Sequence, residues 1–462
     1  MNGEAVECPH CQIFTVLAPV GAQEELAPVN STEPTPTPAE LNAPDLAGAF
    51  RGEFAHPKPS IGYSTGLVLV AGAMLLMPVI YLMLIVAMGG ATLAWAAIAP
   101  GWFFSENAVG FPLLRLAFYV APMFAGCVMI VFMIKPLFAG RPRHAQPLAL
   151  HPAVDQRLFT LVTQICQRVG APFPARIDVC CELTASASFR RGVLSFLGND
   201  LVLTLGMPLV AGLTVEQLTV VLAHELGHFS QGFGMRLTYL IRTINTWLIR
   251  VAYQRDDWDY ALEEWAQRAD PRFRIIIVVA QLGVWFSRWI LKGLVYLGHF
   301  IGCFMMREME YHADLFGIRI GGSNAFESMI KRLHVLEYVL AKTSKDIRPA
   351  WNINKTLPEN LPTLVALQES RIPGPVKVQI EDTAGIGTTH WFHSHPCSGD
   401  RIRRSRMAAD PGMFRLSAPA SSLFANFEVL SKQVTSLYYS EELGIPLALA
   451  KLRPSAEYVD PR

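Results

Sequence analysis

Two long apolar segments without charged residues dominate the first third of the chain. The first runs from Gly66 to Met88 and the second from Leu116 to Ile134, and neither contains Asp, Glu, Lys or Arg. At a rise of 1.5 Å per residue, a helix of this length covers the ~30 Å hydrocarbon core of a bilayer. The pattern predicts two transmembrane helices, with buried helices of a soluble core as the alternative.

A third apolar region, Ile275–Met306, is interrupted by Arg288 and Lys292. Because charged residues inside a membrane helix are costly, this region is expected to form one or two further membrane helices, or long helices partly enclosed by protein. The segment Leu237–Tyr253, which contains two arginines, is more ambiguous. We therefore expect two membrane helices and leave up to two more open.

Between these apolar regions the pattern is that of a soluble α+β domain. Pro152–Val169 predicts a helix, and Arg176–Cys181 and Leu201–Leu205 predict short strands rich in Val, Leu and Ile. A further helix begins near Thr214, because Thr214 and Gln217 have the spacing of a capping box. The predicted fold class is α+β and mostly helical, with a small sheet and attached transmembrane helices.

The composition agrees with a membrane protein. Hydrophobic residues make up 51% of the 462 residues and charged residues only 17%, and the mean hydropathy is +0.29. The formal net charge of +1 lacks the basic excess that phosphate contacts require, so no nucleic-acid partner is expected. Eight cysteines without regular spacing predict reduced thiols rather than a disulfide framework.

The two ends of the membrane region indicate its orientation. Lys135, Arg141 and Arg143 follow the second apolar segment, and positive residues beside a membrane helix stay on the cytoplasmic side. The N-terminus and the soluble domain are therefore predicted to face the cytoplasm, in a bacterial inner membrane. The first residues are acidic and no basic-then-apolar run follows, so a cleaved signal peptide is not expected.

The N-terminal segment is predicted to be a flexible tail. From Ala22 to Ser60 it is rich in Pro, Ala, Thr and Glu, and it has too little apolar surface to bury. Ahead of it, Cys8 and Cys11 have metal-ligand spacing but no second pair nearby. This leaves two alternatives open, a small zinc knuckle or two thiols in an unstructured tail.

Residues 224–228, with the sequence HELGH, lie on the predicted helix that follows Thr214. His224 and His228 are four residues apart, so both imidazoles project from one helix face and can bind one ion. Zinc accepts imidazole nitrogens, and its catalytic sites use three protein ligands and a water molecule. Glu225 has apolar neighbours and would be costly to bury alone, so we expect it to act on that water.

A second acidic segment is expected to supply the third ligand. Glu310 and Asp314 lie four residues apart on another predicted helix. We expect Glu310 to bind the metal, and Asp314 to fix the orientation of a ligating imidazole by accepting its other N–H. A solvated acidic helix face is the alternative, and His312 could replace Glu310 as the ligand.

These two segments resemble those of the integral-membrane gluzincin peptidases, which include the CAAX prenyl endopeptidase and the HtpX-type bacterial heat-shock protease. The resemblance covers roughly residues 111 to 405. It implies a zincin-type metallopeptidase domain with one zinc ion, held by the two histidines of HELGH and by Glu310. It also implies that Glu225 is the general base and that Asp314 supports a ligand.

The resemblance extends to a pair near the C-terminal end, where His395-Pro396 is followed by Arg401-Ile402. By this likeness His395 lies near the catalytic cleft, where its imidazole could donate to the oxyanion of the tetrahedral intermediate. The alternative is that His395 and the two histidines just before it are ordinary polar loop residues.

An edge strand that binds the substrate backbone by strand addition is also implied. The matching residues are Ser186, Ala187, Ser188 and Phe189. Ser186 stands where the family usually has Asn, which affects the side-chain contact more than the backbone contact.

The sequence therefore predicts a membrane-bound zinc endopeptidase that hydrolyses membrane or membrane-adjacent polypeptides on the cytoplasmic side. A prenyl-protein endopeptidase, a non-catalytic scaffold or sensor with a zinc site, and a transporter are the alternatives. The chain is predicted to begin with a flexible tail that contains the cysteine pair (1–60), followed by two transmembrane helices (61–136). The metallopeptidase domain then covers 137–410, with a helical, partly membrane-associated insertion at about 236–306. A C-terminal segment of unknown role follows (411–462).

Overall fold

Helices make up most of the structure, which is a computed structural model, and the predicted α+β class is confirmed. The structure describes residues 5–7, 14–16, 46, 48–57, 60–104, 111–138, 147–189, 200–230, 233–253, 264, 274–390, 393 and 395–458. Cys8, Cys11, Arg141, Arg143 and Ser394 lie outside the described residues.

The elements follow one another along the chain as short strands and long helices. The strands are β1 (Ala5–Glu7), β2 (Phe14–Val16), β3 (Leu148–Ala149), β4 (Arg176–Cys180), β5 (Ala185–Phe189), β6 (Leu201–Gly206), β7 (Thr356–Pro358) and β8 (Lys451–Arg453). The helices are α1 (Ile61–Phe103), α2 (Pro112–Ile134), α3 (Gln156–Val169), α4 (Met207–Gly212), α5 (Val215–Gly227), α6 (Phe233–Tyr253), α7 (Arg274–Gly321), α8 (Ser323–Asn354), α9 (Leu361–Ser370), α10 (Gly374–Ile386), α11 (Ser398–Ala408) and α12 (Phe427–Leu437).

Three helices in the described part of the chain are long and apolar enough to span a membrane. They are α1, α2 and the portion Gln281–Gly321 of α7. The two apolar segments predicted to span the membrane thus form helices of sufficient length, and the third apolar region lies within one continuous helix. At 43 residues, α1 is about 65 Å long. Because this is about twice the hydrocarbon thickness of a bilayer, α1 has length enough to reach beyond it.

Buried polar contacts hold the three apolar helices together. The hydroxyl of Tyr81 on α1 donates to the carbonyl of Met133 on α2 at 2.8 Å, and it lies 3.2 Å from the hydroxyl oxygen of Ser287 on α7. At the start of α1, the ring of Tyr63 stacks on His312 of α7, with the ring centroids 5.3 Å apart. The start of α1 therefore lies beside the segment of α7 that carries the predicted ligand Glu310.

A four-stranded sheet has the order β3-β4-β6-β5. Its two central strands, β4 and β6, are parallel and almost continuously buried, whereas β3 and β5 pair antiparallel at the two edges. Continuous burial explains why β6 is apolar at almost every position, whereas β4 includes Asp178, whose buried carboxylate pairs with Arg176. The predicted edge strand lies in β5, which pairs with β6 on one side.

Helix α5 packs against the sheet and against α7. Its start has the predicted capping box, in which the Thr214 hydroxyl accepts from the backbone N–H of Gln217 at 3.2 Å and the Gln217 side chain accepts from that of Thr214 at 3.1 Å. Near its end, a Cβ at Gly227 would lie 2.9 Å from the Phe316 ring of α7. A glycine at this position therefore lets the two helices approach closely, and they carry the HELGH residues and Glu310.

Segments from both ends of the chain pack on the same core. The ring of Phe50 lies 4.7 Å from that of Phe414, and the backbone N–H of Arg51 donates to Met413 at 2.7 Å. Strand β8 pairs in parallel with β7. Residues 46 and 48–57 of the predicted tail region and residues 411–458 thus include segments that contact the peptidase domain. The interval from about 342 to 389, unassigned from sequence, forms the end of α8 and then β7, α9 and α10.

Candidate metal centre

Helices α5 and α7 bring three predicted ligands into one buried group. His224 lies in the last turn of α5, His228 caps that helix, and Glu310 lies on α7. One ligand atom from each lies within 4.8 Å of the other two, and each residue is 8% exposed. Within the part of the chain that the structure describes, no other group of three or more His, Cys, Asp or Glu side chains has ligand atoms close enough together to hold one metal ion.

The distances in this group fit a small tetrahedral ion. His224 Nε2 lies 3.4 Å from Glu310 Oε2, and His228 Nε2 lies 3.8 Å from Glu310 Oε1. Two ligand atoms bound tetrahedrally at ~2.0–2.1 Å from zinc would be roughly 3.3 Å apart. The donor set of two imidazole nitrogens and one carboxylate oxygen is also one that catalytic zinc sites use.

The electrostatic environments of the two histidines differ. Burial lowers the pKa of His224, but hydrogen bonding to Asp314 and Glu310 outweighs this effect and raises that pKa to about 9. Burial and the charge of Arg242 hold the pKa of His228 well below its ordinary value. His228 is therefore neutral, which is the form that binds a metal, and the carboxylates around His224 stabilise positive charge.

A chain of polar contacts supports His224 from behind. Its Nδ1 lies 2.9 Å from Asp314 Oδ1, the contact predicted for Asp314. Arg401 of α11 donates to the same carboxylate through Nη2 at 2.5 Å and Nε at 2.9 Å. The sequence pointed to Arg401 only as part of the Arg-Ile pair, and this paired contact with Asp314 was not predicted.

Arg242 is a second residue that sequence reasoning missed at this site. Its guanidinium donates to the Glu310 carboxylate, and its Nη2 lies 3.3 Å from His228 Nε2. In the sequence Arg242 was visible only as a charge within an ambiguous apolar segment. A signal was nevertheless present, because an arginine in such an apolar segment needs an acidic or polar partner.

Glu225 lies between the metal group and the edge strand. Burial raises the pKa of Glu225 above its ordinary value, and the backbone of Ala187 in β5 is close enough to this carboxylate to oppose that rise. Ser186 and Ser188 on the same strand are exposed, whereas Phe189 is buried and packs edge-on against Phe229 and Tyr239. The strand is thus anchored by Phe189 and lies beside the carboxylate of Glu225.

The remaining histidines differ in their distance from the metal group. His395 Nδ1 lies 3.8 Å from Glu310 Oε1, and its side chain is 38% exposed. His390 and His393 lie against each other, with ring centroids 5.1 Å apart. His312 stacks on Tyr63. Of these four, His395 is the residue that the structure places at the edge of the site.

Comparison with known proteins identifies the family. The model of peptidase family M48 matches residues 152–408, more than half of the chain. A protease named HtpX from Pseudomonas putida is 25% identical over 268 residues, which cover 57% of this chain and 84% of the relative. The HtpX protease of Pseudomonas fluorescens is 24% identical over 264 residues, covering 56% and 83%. No solved structure matches the chain. The chain therefore belongs to peptidase family M48, and it is a metalloendopeptidase of the HtpX type and an integral membrane protein.

Proposed function

We propose that this protein is a zinc endopeptidase that cleaves membrane or membrane-adjacent polypeptides at the cytoplasmic face. The observation that carries the proposal is the buried group of His224, His228 and Glu310, with Glu225 and an edge strand beside it. Family M48 implies a metal, and the two nitrogen donors and one oxygen donor favour zinc. When bound here, zinc would act as a Lewis acid that polarises a carbonyl and acidifies a water molecule.

Glu225 is proposed to move the proton during hydrolysis. Its buried carboxylate has a raised pKa, which makes it a stronger base than an exposed glutamate. It would take a proton from the attacking water and pass it to the nitrogen of the leaving amine. The backbone of Ala187 lies near this carboxylate, so the proposed base is beside β5.

The substrate is proposed to bind along β5 as an added strand. One edge of β5 pairs with β6, and the other edge lies beside the catalytic group. An extended polypeptide on that edge would form backbone hydrogen bonds, with its scissile bond close to Glu225. Ser186 and Ser188 are exposed on this strand, where they would contact substrate side chains.

His395 is proposed to stabilise the oxyanion of the tetrahedral intermediate. Its imidazole lies at the edge of the metal group, 3.8 Å from the Glu310 carboxylate, and is partly exposed. A donor at this place can face a substrate carbonyl that points towards the metal position. Arg242 also contacts Glu310 and its side chain is 36% exposed, so its guanidinium would be a second donor to the same carbonyl.

Substitution of the proposed base tests this function. Glu225→Gln should lower the cleavage rate of unfolded casein at least about a hundredfold, while the purified protein keeps its zinc. Glu216→Gln is the matched control, because Glu216 lies on the same helix, in its first turn, and pairs with Arg415. Full proteolysis by the zinc-loaded Glu225→Gln variant would show that the base has been assigned wrongly.

The orientation in the membrane is proposed from the basic residues after the second span. A reporter fused after Arg143 should report a cytoplasmic position, because Lys135, Arg141 and Arg143 follow that span. A fusion within 105–110, between α1 and α2, should report the opposite side. A periplasmic signal after Arg143 would place the catalytic domain on the wrong side for this proposal.

A further inference from the structure

The residues just before the first apolar helix, 48–57, contact the helix that carries the proposed carboxylate ligand. We call them the pre-helix segment. The backbone N–H of Arg51 donates to the carbonyl of Met413 at 2.7 Å, in the segment after α11. From the other side, Arg319 of α7 donates to the carbonyl of Ala55. The pre-helix segment is therefore fixed by backbone contacts on both of its sides, one of them to α7.

A column of four rings joins this N-terminal region to α7. Phe54 stacks on Phe316 of α7, with the ring centroids 6.0 Å apart and an interplanar angle of 21°. The Phe316 ring lies 5.5 Å from that of His312, one turn away on the same helix. His312 in turn stacks on Tyr63 at the start of α1, with the centroids 5.3 Å apart. Separations of roughly 4.5–7 Å are those of attractive aromatic pairs, so the pre-helix segment and α1 hold α7 at two successive turns.

Phe316 lies where the two proposed metal-binding helices approach each other closely. A Cβ at Gly227 of α5 would lie 2.9 Å from its ring. Gly227 directly precedes the proposed ligand His228, and Phe316 follows Asp314 by two residues. Phe316 is 2% exposed, so in a close-packed interior its ring cannot shift without displacing its neighbours. The position of this ring therefore affects how α5 lies against α7.

Phe54 covers that ring from the pre-helix segment. It is partly buried and packs against the same hydrophobic core as Phe316. Removal of the Phe54 side chain would leave a cavity beside Phe316, and the Phe316 ring could then move away from Gly227. The contact between α5 and α7 would loosen near the ligands that the two helices carry.

We propose that Phe54 is a positioning residue for the metal centre, because through Phe316 it holds the HELGH helix at the correct distance from Glu310. This inference rests on the proposed function, since it requires that the buried group binds zinc. It assigns residues 48–57 to the metallopeptidase domain rather than to the N-terminal tail. Loss of a group that orients metal ligands typically weakens metal binding about 10–100-fold, and Phe54, which acts through a second ring, is expected at the lower end of this range.

The zinc affinity and the melting temperature of the purified full-length protein test the proposal together. In competition with a fluorescent chelator, Phe54→Ala should bind zinc about tenfold more weakly than the unmodified protein. Phe54→Tyr should keep nearly normal affinity, because it retains the stacked ring. Phe50→Ala is the matched control, because Phe50 lies in the same segment, is 8% exposed and packs on Phe414. It should lower the melting temperature at least as much as Phe54→Ala does, and leave the zinc affinity unchanged.

Three outcomes would overturn the inference. In the first, Phe54→Ala binds zinc as tightly as the unmodified protein. In the second, Phe50→Ala weakens zinc binding equally, because the effect would then follow from lower stability alone. In the third, the unmodified protein binds no zinc, which would overturn the proposed function as well. If Phe54→Ala fails to fold, Phe54→Leu keeps an apolar side chain without the stacked ring and should still weaken zinc binding severalfold, and an unchanged affinity would count against Phe54.

Discussion

Replacement of Arg401 by Gln tests whether α11 holds the metal ligands in place. Arg401 donates two hydrogen bonds to Asp314, which is 3% exposed and lies 2.9 Å from His224 Nδ1. Loss of such a supporting partner typically lowers metal affinity about 10–100-fold, which corresponds to about 1.4–2.7 kcal/mol. The buried carboxylate also loses a charge partner, so the free energy of unfolding should fall by about 3 kcal/mol.

Zinc affinity and thermal stability of the full-length protein measure the two effects separately. A fluorescent chelator competing for zinc should detect the weaker binding by Arg401→Gln. Arg401→Lys should be intermediate, because lysine keeps the charge but cannot donate two parallel bonds. Arg406→Gln is the matched control, since Arg406 lies on the same helix, is 61% exposed and pairs with Glu327.

Unchanged behaviour of the Arg401→Gln variant would contradict the positioning role of Arg401. If Arg401→Gln bound zinc as tightly as the unmodified protein and unfolded at the same temperature, Asp314 would not need Arg401 to orient His224. A loss of stability with unchanged zinc affinity would assign Arg401 to the fold alone.

Two further predictions concern groups away from the metal centre. Hydrogen bonding to Arg406 lowers the pKa of Glu327 to about 2, from an ordinary value of 4.5. The stabilisation that the ionised Glu327 gives the folded protein is therefore present above about pH 4.5 and is lost as the pH falls towards 2. Because Gln does not ionise, Glu327→Gln should slightly narrow the difference between the melting temperatures measured at about pH 5 and at about pH 3. Burial raises the pKa of Cys166 and of Cys181 to about 12, so a maleimide at about pH 8 should label neither thiol in the native protein and both after denaturation; rapid native labelling would show that these residues are accessible.

The local patterns in this sequence were sufficient to predict much of the fold. The capping box at Thr214 and Gln217 formed as expected, because both residues act within one turn. The apolar segments that form α1 and α2 were visible because bilayer thickness sets the length of a membrane helix. The helix predicted from Pro152 instead begins at Gln156, because residues 151–155 form a hydrogen-bonded turn before it.

Contacts between distant segments were harder to predict. The spacing of His224 and His228 indicates a shared face, but the partners of Arg242 and Arg401 depend on how α6 and α11 pack against α7. The intervals from about 342 to 389 and from 411 to 458 have no periodic pattern or motif that identifies their role, and their packing on the core became clear only from the structure. Long-range packing of this kind is set by tertiary structure rather than by local sequence preference.

The central claim is that one zinc ion is bound by His224, His228 and Glu310. X-ray absorption spectroscopy of the protein loaded with one equivalent of zinc tests it most directly, because nitrogen or oxygen ligands lie at ~2.0–2.1 Å and sulfur ligands at ~2.3 Å. We expect the signature of two imidazoles with oxygen ligands and no sulfur, and a loss of zinc in Glu310→Ala. A sulfur shell would place the ion on cysteines, and unchanged zinc binding in Glu310→Ala would remove Glu310 from the site.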